Sequence, residues 1–103
     1  MVIINSIEGR PIRLTAERWE HIVRRHPELV NIRDWILDTV REPELILEGD
    51  FGELLAARFF PKSPLTAKYI LVAYREIEDM DGFIITAYLA SRVSERRRVV
   101  WKR

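Results

Sequence analysis

The sequence predicts an α+β fold in which two N-terminal helices pack on a four- to five-stranded antiparallel sheet. Apolar residues recur at helical spacing between Thr15 and Val40, and from Glu44 onward the pattern switches to the alternation of strands. The long apolar stretches of the second half are joined by short turn-forming segments, which favour antiparallel pairing over crossover connections.

The start, Met1 to Leu14, alternates β-favouring residues around Glu8-Gly9-Arg10-Pro11 and reads as a hairpin or two edge strands. Thr15 then offers an N-cap, and Glu17 suits the positive end of a helix. Trp19, Ile22, Val23 and His26 follow at i, i+3, i+4 and i+7, predicting a helix over 16–25 or 26 that Pro27 closes by disfavouring helical geometry at His26. Asn31 is the expected cap of a second helix, with Ile32, Trp35, Ile36, Thr39 and Val40 as its buried stripe and its end before Pro43. Strands are expected over 44–48, 53–60, 68–77 and 83–90, with turns at Gly49-Asp50-Phe51-Gly52 and Glu78-Asp79-Met80-Asp81-Gly82 and a loop over 61–66. The end, Ser91 to Arg103, is expected to form a final strand or a docked arm.

The chain has 103 residues, 48% hydrophobic and 32% charged, which suits one folded domain over 1–103 and excludes a disordered chain. It contains no Cys, so disulfides, thiolate metal sites and cysteine nucleophiles are excluded. No apolar run approaches the roughly 18 residues that cross a bilayer, and the N-terminus has no signal-peptide pattern, so a cytoplasmic protein without membrane contact is expected. Charge is uneven: residues 1–50 hold 7 Lys+Arg against 10 Asp+Glu, and residues 51–103 hold 10 against 6. A basic half can serve a polyanion or can be an ordinary solvated surface.

On a helical wheel at about 100° per residue, His26 falls within the apolar stripe while His21 lies opposite, beside Arg18 and Arg25. His26 can be a buried histidine satisfied at a helix end. His21 has cationic neighbours that favour the neutral imidazole a general base needs. On the strand 53–60, Arg58 shares a face with Leu54, Ala56 and Phe60, so it calls for an anionic partner or the sheet edge. On the strand 83–90, Ile84, Thr86, Tyr88 and Ala90 are expected to share a face, which places a hydroxyl and a phenol side by side. Arg92, Arg96, Arg97 and Arg98 are either a solvated end or a phosphate site. The two histidines are five apart, not the i, i+4 of a zinc-binding helix, and no glycine-rich phosphate loop is present, so neither metal nor organic cofactor is expected.

Together, LTAERWEHIVRRHPEL, the strand ARFF with Arg58, Lys68-Tyr69 and FIITAYLASR resemble the phage-associated nuclease branch of the barnase–EndoU–colicin–RelE superfamily. The resemblance spans Leu14 to about Arg92. It implies a RelE/barnase-like fold and a metal-independent, toxin-like endoribonuclease that uses the RNA 2′-hydroxyl to attack the adjacent phosphate. That chemistry needs a base, an acid and cations for the added negative charge. The resemblance assigns His21 and His26 as base and acid candidates, Arg58 and Lys68 as phosphate stabilisers, Thr86 and Tyr88 as orienting groups or proton donor, and Arg25 as a further RNA contact. It also implies an antitoxin or immunity protein as partner, with the chain a monomer or homodimer. The alternative is a non-catalytic module of the same fold that binds nucleic acid or protein.

Overall fold

The computed structural model of the chain describes residues 1–63, 66 and 68–103. Pro64 and Leu65 of the expected loop lie outside the described residues. The chain forms β1 (Val2–Asn5), β2 (Pro11–Leu14), α1 (Ala16–Arg25), a 3-10 turn (Pro27–Leu29), α2 (Arg33–Arg41), β3 (Leu45–Glu48), β4 (Leu54–Phe60), β5 (Lys68–Glu78), β6 (Asp81–Ala90) and β7 (Val99–Lys102).

Helix α1 begins where the sequence predicts. Thr15 is extended and its hydroxyl accepts from the Arg18 N–H at 3.1 Å, satisfying one of the orphan donors of the first turn. The helix ends at His26, whose N–H still donates to the Ile22 carbonyl before Pro27 halts the series. Helix α2 departs from expectation at its start. Its cap is Ile32, not Asn31, and no side chain caps it; the 3-10 turn leads in instead, with the Ile32 N–H donating to Leu29 O at 3.0 Å.

The α+β class holds, but the expected four- to five-stranded antiparallel RelE/barnase-like sheet does not. The sheet has seven strands in the order β1-β2-β6-β5-β4-β3-β7, and it is mixed, because β2 runs parallel to β6. The N-terminal hairpin adds two strands beside β6, and the C-terminal segment adds β7 beside β3. Turn signals could not reveal either addition, since both pairings join segments distant in sequence. The central β4-β5-β6 pairing is antiparallel as expected.

Both helices cover one face. Ile22, Leu29, Ile36 and Val40 pack there with Ile12, Ala56, Ile70, Val72, Tyr74, Ile84 and Ala87 into the main core. Helix α1 packs against β6, and α2 against β1, β4 and β5, so the sheet wraps around α2. The second face has a smaller cluster of Leu47, Leu55 and Ala73, joined by Ile85 and by Val93 from the segment after β6. That segment is therefore a docked arm before it becomes a strand.

The junction of β2 with β6 is tight. Arg13 pairs with Asp81 and lies over the Phe83 ring, 5.6 Å from its centroid. Beside it, a Cβ added to Gly82 would stand 2.7 Å from the Arg75 carbonyl oxygen and 2.6 Å from Ile12 Cδ1. The Ile12 methyl can move; the β5 backbone cannot without breaking its ladder. Gly82→Ala should therefore destabilise the protein by about 1–3 kcal/mol, read as a lower midpoint in urea unfolding at unchanged slope.

Tyr74 is buried in the main core near its end, and burial, then the charges of Glu76 and Glu8, push its phenol well above the ordinary tyrosine range. The unfolded chain releases this proton near the ordinary value while the native chain keeps it, so stability falls as pH rises past about 10. In alkaline titration the Tyr74 phenolate absorbance should appear only together with loss of secondary structure. Tyr74→Phe should lack that step.

Candidate nucleic-acid interface

The placement of the expected site residues turns on one irregularity in β6. Ala73 lies opposite Thr86 while Tyr74 lies opposite Ile84, so Ile85 is an extra residue and the register shifts. Ile84 therefore faces the helices, while Thr86, Tyr88 and Ala90 face away from them. This corrects the expected single face: Ile84 is core, and the hydroxyl and phenol belong to the second, helix-free face.

Arg58 is on the other side. It shares the helix-covered face with Phe60, and its guanidinium lies 5.3 Å from the centroid of that ring, which itself stacks on Trp35 at 5.1 Å. Strand β4 is internal to the sheet, and no ion pair of Arg58 occurs among the described residues. The aromatic face thus supplies what the sequence assigned to an anion or a sheet edge. His26 is also on the helix side, half-buried, with Nδ1 3.5 Å from Glu28 Oε1. Arg58 and His26 are thereby separated by the sheet from Thr86 and Tyr88.

His21 occupies a third place. It is exposed on α1 and lines a hollow with Thr15, Glu17 and Arg18. Arg18 Nη1 donates to Ile85 O at 3.4 Å, tying the polar side of α1 to the bulge immediately before Thr86. Strand β2 pairs with β6 only at Arg13 and Phe83 and ends at Leu14. Beyond the bulge, no strand pairs with β6 on that side among the described residues, and α1 packs against β6, with Arg18 reaching the Ile85 carbonyl.

The second face carries an aromatic row that the sequence reading did not assemble. Phe59 and Tyr69 are cross-strand partners in edge-to-face contact at 5.2 Å, and Tyr88 stands opposite Leu71, diagonal to Tyr69. The signal was available in the alternation of β4 and β5, but it required the strand register to combine.

The cations divide by partner. Arg97 donates to Asp50 at 2.9 Å, and that hydrogen bond holds its guanidinium above the ordinary arginine value, with Tyr88 close enough to add to the effect. Arg98 donates to Glu48 at 2.7 Å, and its carbonyl accepts from the Glu48 N–H. These two staple the arm to the β3–β4 turn. Lys68 Nζ donates to Ser91 Oγ at 2.7 Å. Arg92 and Arg96 are exposed, line an open hollow of about 480 Å³, and form no ion pair among the described residues; nor does Arg25.

Among the described residues no group of three or more His, Cys, Asp or Glu could hold a metal ion. No described helix is long and apolar enough to cross a membrane. No family model, curated protein or solved structure matches the chain.

If Arg97 and Arg98 act as staples, replacing both with Ala should speed amide hydrogen exchange across residues 91–98 while leaving the midpoint of global unfolding almost unchanged, since Asp50 and Arg98 stand largely in solvent.

Proposed function

We propose that the chain is an RNA-binding domain that cleaves RNA without a metal ion, with the strand lying across the helix-free face and over the open edge of β6. The observation that carries this reading is the row of Phe59, Tyr69 and Tyr88 on the helix-free face, together with Arg92 and Arg96 of the docked arm, which form no ion pair among the described residues, and with Arg18 and His21 of α1, which packs against β6. Aromatic rings accept unstacked bases whatever their sequence, and flexible arginines follow the phosphates.

In this reading the exposed imidazole of His21 takes the proton from a ribose 2′-hydroxyl, and that oxygen attacks the adjacent phosphorus. The 5′-oxygen leaves with a proton, giving a 2′,3′-cyclic phosphate and a 5′-hydroxyl. Arg25 and Arg18 offset the charge added at the phosphate. Tyr88 is the candidate to return the proton, since His26 stands on the helix-covered side of the sheet, and Tyr88→Phe tests it. The residue-level resemblance to the phage-associated nucleases supports the same chemistry and a toxin-like role, in which a protein inhibitor would cover this face.

The separation of Arg58 and His26 from Thr86 and Tyr88 favours a second reading, RNA binding without turnover. One assay decides between them. Purified protein incubated with mixed single-stranded RNA in chelator should yield cyclic-phosphate ends, and His21→Ala should lower the rate by at least about a hundredfold. Arg58→Met should retain the activity. Salt-sensitive binding that leaves the RNA intact would establish the second reading instead.

A further inference from the structure

Away from the RNA surface, at the opposite end of the β4-β5-β6 strands, the curl of the sheet brings the β1–β2 turn towards β7 and encloses a cavity of about 240 Å³. Its lining combines apolar walls, Ile46 and Leu54, with the indole of Trp101, the phenol of Tyr74 and the carboxylates of Glu8 and Glu76. Tyr74 is only 1% exposed. Its hydroxyl makes no hydrogen bond among the described residues, and among them no fully enclosed side-chain polar atom lacks a partner, so the hydroxyl oxygen is the part of the residue that meets the cavity.

The Glu76 side chain is 11% exposed. Its Oε2 accepts from Ser6 Oγ at 3.0 Å and lies 3.9 Å from Arg10 Nε, while Oε1 has no hydrogen-bond partner among the described residues. Arg10 is shared further with Glu8 and Asp79, at 3.8 and 3.4 Å. One guanidinium thus faces three carboxylates, and the region is net negative. Glu76 Oε1 and the Tyr74 phenol oxygen, neither hydrogen-bonded among the described residues, stand beside an indole and aliphatic walls, while Arg10 is engaged on the other carboxylate oxygen, so these two acceptors are left without a donor.

We propose that this cavity binds an alkylammonium group, with the nitrogen donating to Glu76 Oε1 and the Tyr74 hydroxyl, its charge against the Trp101 ring, and its carbon stem against Ile46 and Leu54. A carboxylate ligand would meet Glu8 and Glu76 as like charges. A neutral alcohol would leave the acidic wall uncompensated. The pocket is separate from the arginine-bordered face, so it does not depend on RNA cleavage.

The test uses the intact protein and three probes of matched size, n-butylammonium chloride, 1-butanol and sodium butyrate, at constant ionic strength, with the Trp101 indole N–H and the Tyr74 ring followed by NMR. Butylammonium should shift both signals saturably and bind at least about tenfold more tightly than butanol, the 1.4 kcal/mol within reach of a partly desolvated cation–π contact. Butyrate should cause no saturable shift. Glu76→Gln should weaken butylammonium binding at least about fivefold while leaving butanol unaffected. A blocked lysine peptide compared with its norleucine counterpart separates the two sources of such a group: tighter binding of the lysine peptide than of butylammonium identifies a protein side chain, and weaker binding a free amine. Equal affinity for butylammonium and butanol, or no saturable shift with either, overturns the proposal, and this comparison needs no variant to fold.

Discussion

Strand β5 is buried on both faces from Ile70 to Tyr74, and the remaining elements are arranged to satisfy that constraint. Alternate residues of a strand point to opposite sides, so Ile70, Val72 and Tyr74 need one apolar cover and Leu71 and Ala73 another. Two helices supply the first. The second has no helix available, and it is met by the neighbouring strands together with Val93 of the arm, which the Arg97–Asp50 and Arg98–Glu48 pairs hold in place. The same arm thus closes the minor core with Val93 and leaves Arg92 and Arg96 exposed.

The bulge at Ile85 is the second constraint. Without the extra residue, β6 could not present Ile84 to the main core and Thr86 with Tyr88 to the opposite face. It also turns the Ile85 carbonyl to Arg18, which anchors α1 beside the strand. A local register change therefore sets both the chemistry of the second face and the placement of His21.

Much of this was legible in the amino-acid pattern, and the failures share a cause. Helix α1 was readable from Thr15, its apolar spacing and Pro27, because capping and proline sterics act within a few residues. Strands β4, β5 and β6 were readable from alternation and short turns. The parallel contact of β2 with β6 was not, since it depends on how α1 returns the chain to the sheet. The bulge was equally hidden, because FIITAYLA contains neither Gly nor Pro after Gly82 to mark it. Arg58 shows a different limit. Its face was correctly read, but its partner was sought among distant anions when a ring two residues along, Phe60, was already on that face. The wheel put His21 on the exposed side, where it stands, but it put His26 in the buried stripe, whereas His26 is the helix cap, about a third exposed beside Glu28.

Net charge gives a poorer guide to the basic surface than pairing does. Of the cations in the second half, Arg75 is held by the Phe51 carbonyl, Lys68 by Ser91, and Arg97 and Arg98 by carboxylates of the β3–β4 turn. Each would have to leave a partner before meeting a phosphate. Arg92 and Arg96 are exposed with no ion pair among the described residues, and they flank the segment that crosses the helix-free face. A phosphate arriving there would break no ion pair seen among the described residues, so its attraction would be opposed mainly by side-chain ordering. The run Arg96-Arg97-Arg98 therefore divides within three residues: Arg96 has no ion pair among the described residues, and the next two fix the backbone from which it projects.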